Sequence, residues 1–333
     1  MTKDPTKASS HLRIATRGSM LALWQSRYVA KLLSDLGVTS ELVVVKTTGD
    51  KVQDRYLHEV GGKGLFIKEL EETLSAGGAD IAVHSMKDLP AKLEAPFTIG
   101  AVLKRHDPRD VLILPAASQL LQGVALVQAS SAKALAEKKI GSSSLRRQCL
   151  LRQACSAIEL LPLRGNVDTR IGKLLAGEFD GMVLAFAAMH RLALDRRSDL
   201  HMIPFDPNWF VPCVAQGAIS IETTAGNSSL NVLSKLNDPT TASHVTLERE
   251  ILAKLGGDCT MPFGCHVSPG DSEQVIVSAV VLSPGGQMAR TKLSFASSSL
   301  TKPTAVTEAA AAVVDSLHKN GAAKVLAEIG SRP

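Results

Sequence analysis

Cys259 stands in the run Gly256-Gly257-Asp258-Cys259-Thr260-Met261-Pro262-Phe263, directly after a helical pattern from Thr246 to Leu255 that puts Leu247, Ile251, Leu252 and Leu255 on one face. Paired glycines end helices, because glycine takes the left-handed conformation at a C-terminus without penalty. Pro262 cannot extend a helix and fixes the chain beyond it. The spacing therefore places Cys259 on a loop, where a thiol that ionises can be alkylated by an approaching ligand. Taken alone, such a cysteine is more often an inert packing residue. Its meaning depends on what accompanies it.

Six arginines accompany it: Arg17, Arg146, Arg147, Arg164, Arg170 and Arg191. Arg17 follows a first strand, His11 to Thr16, and precedes Ser19, a candidate N-cap for a helix from Met20. A helix N-terminus beside a guanidinium suits an anion, although Arg17 alone reads equally well as a solvated turn residue. Arg146 and Arg147 follow Ser142-Ser143-Ser144 and fall in the first turn of a helix. Arg164 precedes another helix and Arg170 lies in its first two turns. The helix dipole disfavours cations at these places, and a local choice made against stability points to function. Arg191 ends a short helix, an ordinary position for a cation. Guanidinium forks bind carboxylates or phosphates bidentately and stay charged at any working pH. This set implies several anionic groups on one ligand.

Asp88 is the odd acid in this company. It leaves the strand Asp80 to Val83 through His84-Ser85-Met86-Lys87-Asp88-Leu89-Pro90, at a strand C-terminus where open α/β sheets bind ligands. Lys87 and Asp88 could form a surface ion pair of little worth. They could equally be a base and its counterion in a cleft, where a carboxylate steadies a developing cation or moves a proton.

The elements that must position these residues alternate between strand and helix. His11–Thr16, a helix from Met20 to Leu36 and the valine-rich Glu41–Lys46 form a parallel βαβ unit. The polar stretch Thr47–Lys63 is long for a connection and reads as a functional lid or a disordered segment. Asp107-Pro108-Arg109-Asp110 reads as a crossing into a second α/β lobe. Ile203–Pro212 reads as the return crossing, ahead of Gln216-Gly217-Ala218. From Asn227 the pattern changes to helices, then three alternating strands near Phe263–Ser268, Gln274–Leu282 and Met288–Phe295, then a final helix from Thr304. The expected fold is α/β: two lobes of the bilobal periplasmic-binding-protein kind joined by a hinge, plus a small α+β domain. The expected boundaries are 1–106 with 212–236, then 107–211, then 237–333.

Composition narrows the chemistry. The 333 residues are 45% hydrophobic and 21% charged, ordinary for a soluble globular chain. The start is polar, without a secretory h-region, and no apolar run is long enough to span a bilayer. Five cysteines make no C-x-x-C pair, which suits reduced thiols in a cytoplasm. A net charge of +5 with only 4% aromatics, and no long basic tract, favours a small polyanion over a nucleic acid. A zinc site from Cys259, Cys265 and His266 lacks a fourth ligand and the paired spacing, so no metal is expected. A Cys–His hydrolase would need a partner such as His84. Gly61-Gly62-Lys63-Gly64 is not a Walker loop, which counts against a phosphate transferase. A bilobal anion-binding module explains the arginines, but neither Cys259 nor the Lys87-Asp88 pair.

The chain resembles the hydroxymethylbilane synthase (porphobilinogen deaminase) family. The stretches that carry the resemblance are Arg13-Ile14-Ala15-Thr16-Arg17, Gly61-Gly62-Lys63-Gly64-Leu65-Phe66, Ala79 through Asp88, Asp107-Pro108-Arg109-Asp110, Ser143 through Gln148, Leu163-Arg164-Gly165-Asn166-Val167, Gln216-Gly217-Ala218 and the Cys259 loop, all in family order. The resemblance implies a transferase of tetrapyrrole and heme biosynthesis. It would condense four porphobilinogens head to tail with loss of ammonia, then release linear hydroxymethylbilane with water. It implies a dipyrromethane cofactor held by a thioether at Cys259. Asp88 becomes the catalytic carboxylate, assisting ammonia loss and stabilising the azafulvenium cation. Lys87, Asp88, Ser144, Arg146, Arg147 and Arg170 would hold the cofactor. Arg17, Ser19, Lys63, Arg164, Arg191 and Gln216 would hold substrate, with Lys63 in the mobile loop and Gln216 near the hinge. A cytoplasmic monomer is expected, with no nucleic-acid or membrane partner. The chain departs from the family pattern at Glu59, Ser142, His190, Ala215 and Asp258. Ala215 stands where glycine is common, and Asp258 puts a carboxylate next to the thiol.

Overall fold

The computed structural model describes residues 11–47, 67–118, 120, 128–257 and 261–330. Its first elements are β1 (His11–Arg17), α1 (Met20–Asp35), β2 (Thr39–Val45), α2 (Lys68–Ser75), β3 (Ile81–Ser85) and β4 (Phe97–Val102). There follow β5 (Asp110–Pro115), β6 (Lys139–Gly141), α3 (Leu145–Ala154), β7 (Glu159–Leu161), α4 (Val167–Leu175), β8 (Gly181–Ala185), α5 (Phe186–Arg191) and β9 (Leu200–Pro204). The chain continues with β10 (Ile219–Thr224), α6 (Leu230–Leu233) and α7 (Pro239–Lys254). It ends with β11 (Phe263–Pro269), β12 (Gln274–Leu282), β13 (Met288–Ala296), α8 (Pro303–Lys319) and α9 (Ala322–Gly330).

The chain is mixed α/β and divides into two compact units, one within Met1–His106 and Ala218–Ala242, the other within Asp107–Gly217 and Ser243–Pro333. Each contains a five-stranded sheet, ordered β2-β1-β3-β10-β4 in the first and β7-β6-β8-β5-β9 in the second. The two sheets share one pattern. Three parallel strands come first, the fourth runs antiparallel to the third, and the fifth runs antiparallel to the fourth. The fourth strands are β10, which follows the whole second sheet in sequence, and β5, which precedes the rest of it.

Alternation along the strands builds two apolar faces per sheet. Leu12, Ile14, Ile81, Val83, Ile219 and Ile221 pack with Val29 and Leu33 of α1. Ala15 and Ala82 turn the other way, toward Leu70 and Leu74 of α2. In the second unit Leu112, Leu114, Ile140 and Val183 face Cys149, Leu150 and Leu151 of α3, while Val111, Ile113, Met182 and Leu184 face Ile171 and Leu174 of α4. The small C-terminal sheet is an antiparallel meander, β11-β12-β13. Its Val280 and Leu282 join the α3 core. α8 covers it with Val306, Ala309, Ala310, Val313, Val314 and Leu317, spaced as one helical face.

Two differences from the sequence expectation stand out. Ile203 begins no crossing: it pairs with Leu112 inside β9, and Phe205, Trp209, Phe210 and Val211 still pack in the second unit's core, which the chain leaves after Gly217. Proline is tolerated in β9 because β9 is an edge strand and Pro204 its last residue. β4 was likewise not anticipated. Most of Thr47–Lys63 lies outside the described residues. Among those described, no helix is long and apolar enough to cross a membrane.

Candidate functional site

In the second unit, Ser144 caps α3, its hydroxyl accepting from Arg147 N at 3.5 Å. This sets Arg146 and Arg147 in the first turn, facing inward. Arg146 Nη1 donates to Asp110 Oδ2 (2.7 Å) and to Val211 O (2.8 Å). Arg147 donates through Nε to Asp110 Oδ1 (2.8 Å) and through Nη1 to Val183 O (3.1 Å). Gln216 donates to Asp110 Oδ1 (3.0 Å) and Pro108 O (2.7 Å), and accepts from Arg147 Nη2 (3.4 Å). Asp110, Arg146, Arg147 and Gln216 are all buried. Burial opposes ionisation of Asp110, but the charges of Arg146 and Arg147, with hydrogen bonds from Arg146 and Gln216, hold its carboxyl at about 2. One carboxylate thus faces two guanidiniums, and the cluster keeps net positive charge.

Further positive charge meets it. Arg164 precedes α4, which Asn166 caps by accepting from Thr169 N (2.9 Å). Arg170, one turn in, reaches back through Nε to Gly165 O (2.8 Å). Its guanidinium is pulled down to about 10, first by burial and then by the charges of Arg147 and Arg164. Mutual repulsion among three cations is a standing cost that a bound anion would relieve. Arg191, buried at the end of α5, donates to Gly217 O (2.6 Å).

In the first unit, Arg17 ends β1 and Ser19 caps α1, accepting from Ala22 N at 3.3 Å. Arg13 belongs to the scaffold: it holds Asp80 through its backbone N (2.8 Å) and Nη2 (3.0 Å). β3 ends at Ser85, which accepts from Gln25 Nε2 (2.8 Å). A single 3-10 turn, Met86–Asp88, then buries Met86 and leaves Asp88 exposed, with Lys87 half-buried. His84, the hydrolase candidate, points into the unit, its Nε2 2.9 Å from Glu222 Oε2, and both are buried. That is a structural pairing. Glu71 lies beside Glu222. Burial, then the Glu222 charge, pushes its carboxyl up to about 7.

Cys259, Asp258 and Lys63 lie outside the described residues. Gly256 stops α7 in the left-handed conformation, φ +67°, as the paired glycines suggested. Cys265 and His266 are neighbours on β11, so their side chains point to opposite faces of the strand. Sequence reasoning missed Asp110, read only as part of a crossing, and Glu248 of α7. The signal for Asp110 was an acid opening the apolar strand Asp-Val-Leu-Ile-Leu, where an unpaired carboxylate would be intolerable.

The family model "Porphobilinogen deaminase, dipyromethane cofactor binding domain" matches residues 12–232. A porphobilinogen deaminase of Syntrophobacter fumaroxidans is 41% identical over 84% of this chain and 87% of its own length. That of Xanthomonas campestris pv. campestris is 40% identical over 96% and 99%, and that of Syntrophotalea carbinolica 36% identical over 98% of each. Among solved structures, the periplasmic aliphatic sulphonate binding protein SsuA from Escherichia coli is 12% identical, covers 74% of this chain and 70% of its own, and has a TM-score of 0.38, a likeness too loose to carry function.

Proposed function

This chain belongs to the porphobilinogen deaminase family, and from that premise we propose that it is the hydroxymethylbilane synthase of tetrapyrrole biosynthesis, working on a dipyrromethane carried by Cys259. Four porphobilinogens are joined head to tail, each losing one ammonia, and one water releases the linear product. The observation that supports the substrate class is the convergence of Arg147, Arg164 and Arg170. Each pyrrole of this substrate bears an acetate and a propionate, so the ligand brings carboxylates that would relieve the mutual repulsion of these cations.

The same residues fit the cofactor, whose rings carry the same acids. When bound, dipyrromethane supplies the pyrrole end to which substrate is added. Ser144, Arg146, Arg147 and Arg170, with Lys87 and Asp88, would hold this group through its acid side chains. Arg17, Ser19, Lys63, Arg164, Arg191 and Gln216 hold the incoming substrate. Asp88 assists departure of ammonia and steadies the cation left behind, a role open to an exposed carboxylate at a strand end. Asp110 keeps Arg146 and Arg147 in place without neutralising both. We read the chain as three domains, 1–106 with 212–236, 107–211 and 237–333. The reading includes a cytoplasmic monomer, with neither nucleic acid nor membrane as partner. Reduced Cys149, Cys155, Cys213 and Cys265 are in keeping with that compartment.

Intact-protein mass spectrometry with peptide mapping tests the assignment. The expected result is a mass excess of two linked pyrroles on Cys259, present in the wild type and in Asp88→Asn alike. Asp88→Asn should retain the fold and lose at least about a hundredfold in turnover. Near-normal turnover in that variant would remove Asp88 from its role. An unmodified chain that stays unmodified after incubation with porphobilinogen would overturn the enzyme assignment.

A further inference from the structure

The turn that presents Gln216 is strained. Gln216 N donates to Cys213 O at 3.0 Å. Ala215 is therefore the third residue of a tight turn, and it takes φ +56°. In that left-handed region a Cβ crowds the backbone, and glycine is the ordinary occupant. Gly217 is also left-handed, at φ +89°. Two such residues flank Gln216, so its direction depends on whatever holds Ala215.

What holds it comes from α7. Glu248 has no solvent exposure. Its Oε2 accepts from Ala215 N at 2.6 Å and its Oε1 from Val267 N at 2.8 Å, with His266 Nδ1 3.5 Å from Oε1. A buried carboxylate with each oxygen on a backbone N–H is a stiff bracket, because hydrogen bonds to an ionised acceptor are the strong ones. It fixes the peptide on the N-terminal side of Ala215. Beyond Ala215, Gln216 reaches Asp110 and Arg147, and Gly217 O receives Arg191.

We propose that Glu248 is a positioning residue for the anion-binding arginines: it clamps Ala215 in the left-handed conformation and so sets the reach of Gln216 to Asp110 and Arg147. The inference rests on the reading of Gln216 and Arg147 as porphobilinogen-binding residues. Glycine at 215 would take this conformation unaided, so a chain with alanine there depends on the clamp.

The test compares four full-length proteins: wild type, Glu248→Gln, Ala215→Gly and the double variant. For each, KM and kcat for porphobilinogen are measured, and the urea unfolding midpoint separately. Glu248→Gln keeps the size but turns an amide nitrogen toward a backbone N–H. It should raise KM about tenfold, with a smaller change in kcat. In the Ala215→Gly background the same change should raise KM by no more than about threefold. An equal rise in both backgrounds, or an unchanged KM, would overturn the proposal. A bracket that only ties β11 to the turn would lower the unfolding midpoint equally in both backgrounds and leave KM alone, which also overturns it. If Glu248→Gln does not fold, Glu248→Asp keeps the charge, shortens the reach and gives the same comparison. Wild-type protein inert toward porphobilinogen would overturn the functional reading and the positioning role with it. The unfolding cycle needs no substrate, so it then shows whether the clamp itself failed or only the function assigned to it.

Discussion

Asp110 shows how one residue can decide what its neighbours are able to do. Two guanidiniums in the first turn of α3 oppose the helix dipole, and both are buried. Without Asp110 they would be uncompensated charges in a low dielectric. Asp110→Asn should therefore destabilise the second unit by about 3–5 kcal/mol, since it breaks a buried ion pair on one side only. The pH dependence follows from the direction of the shift. Asp110 titrates near 2 in the folded chain, below its ordinary 3.8. Its contribution is present above pH 3.8 and is lost as pH falls through about 2. Urea unfolding followed from pH 5 to pH 2 should show a steep loss in the wild type and a shallower one in Asp110→Asn. Parallel curves would deny Asp110 this role. The sequence made Arg146 and Arg147 conspicuous as cations in the wrong place. It could not show that they are already partnered, because Asp110 lies 36 residues from Arg146 and only the antiparallel pairing of β5 with β8 brings it underneath.

At the scale of elements, the candidate residues of each unit sit at helix starts. Ser19, Ser144 and Asn166 each cap a helix, and each has an arginine of interest close by. Of these caps only Ser19 was legible as one, ahead of a periodic apolar run; Ser144 stood out as one of three serines before two arginines, and Asn166 was not singled out. The antiparallel edge of each sheet was not legible. β4 and β9 are short edge strands whose partners are far away in sequence, and local periodicity holds no information about which strand will pair with which. The start of α4 offers a sharper test. Gly165 takes φ +100°, and a Cβ there would stand 2.8 Å from Thr169 Cβ and Cγ2. Its carbonyl also anchors Arg170. Gly165→Ala combines backbone strain with a clash, and should cost about 1–3 kcal/mol. It should also spread Arg164 and Arg170 apart. The fraction of chains carrying the two-pyrrole mass excess is then expected to fall, while the unfolding midpoint drops. A variant that loads cofactor fully would mean that the geometry of this turn is irrelevant to the cations.

Across the whole chain, the two sheets repeat one strand order, yet one acid in each unit, Asp110 and Glu71, responds to pH in the opposite sense to the other. In the second, Asp110 is held ionised and its contribution fails in acid. In the first, Glu71 of α2 meets Glu222 of β10, which faces His84 of β3. Glu94 adds a further negative charge. Burial and then the Glu222 charge raise Glu71 to about 7 from 4.5. A carboxyl raised in the folded state contributes stability below its unfolded value, and that contribution is lost as pH rises through about 7. The first unit is therefore weakened toward alkaline pH and the second toward strong acid, and both contributions are whole only near pH 4 to 4.5. Glu71→Gln isolates the first effect, because an amide keeps a donor for Glu222 and cannot ionise. Glu71 is partly open to water, which screens the interaction, so the gain is ~1 kcal/mol rather than the full shift. At pH 8 the first unit's melting temperature should rise by roughly 3–4 °C in the variant, while at pH 4.5 the two proteins should melt together. Equal stabilisation at both pH values would show that the gain is one of packing and not of charge.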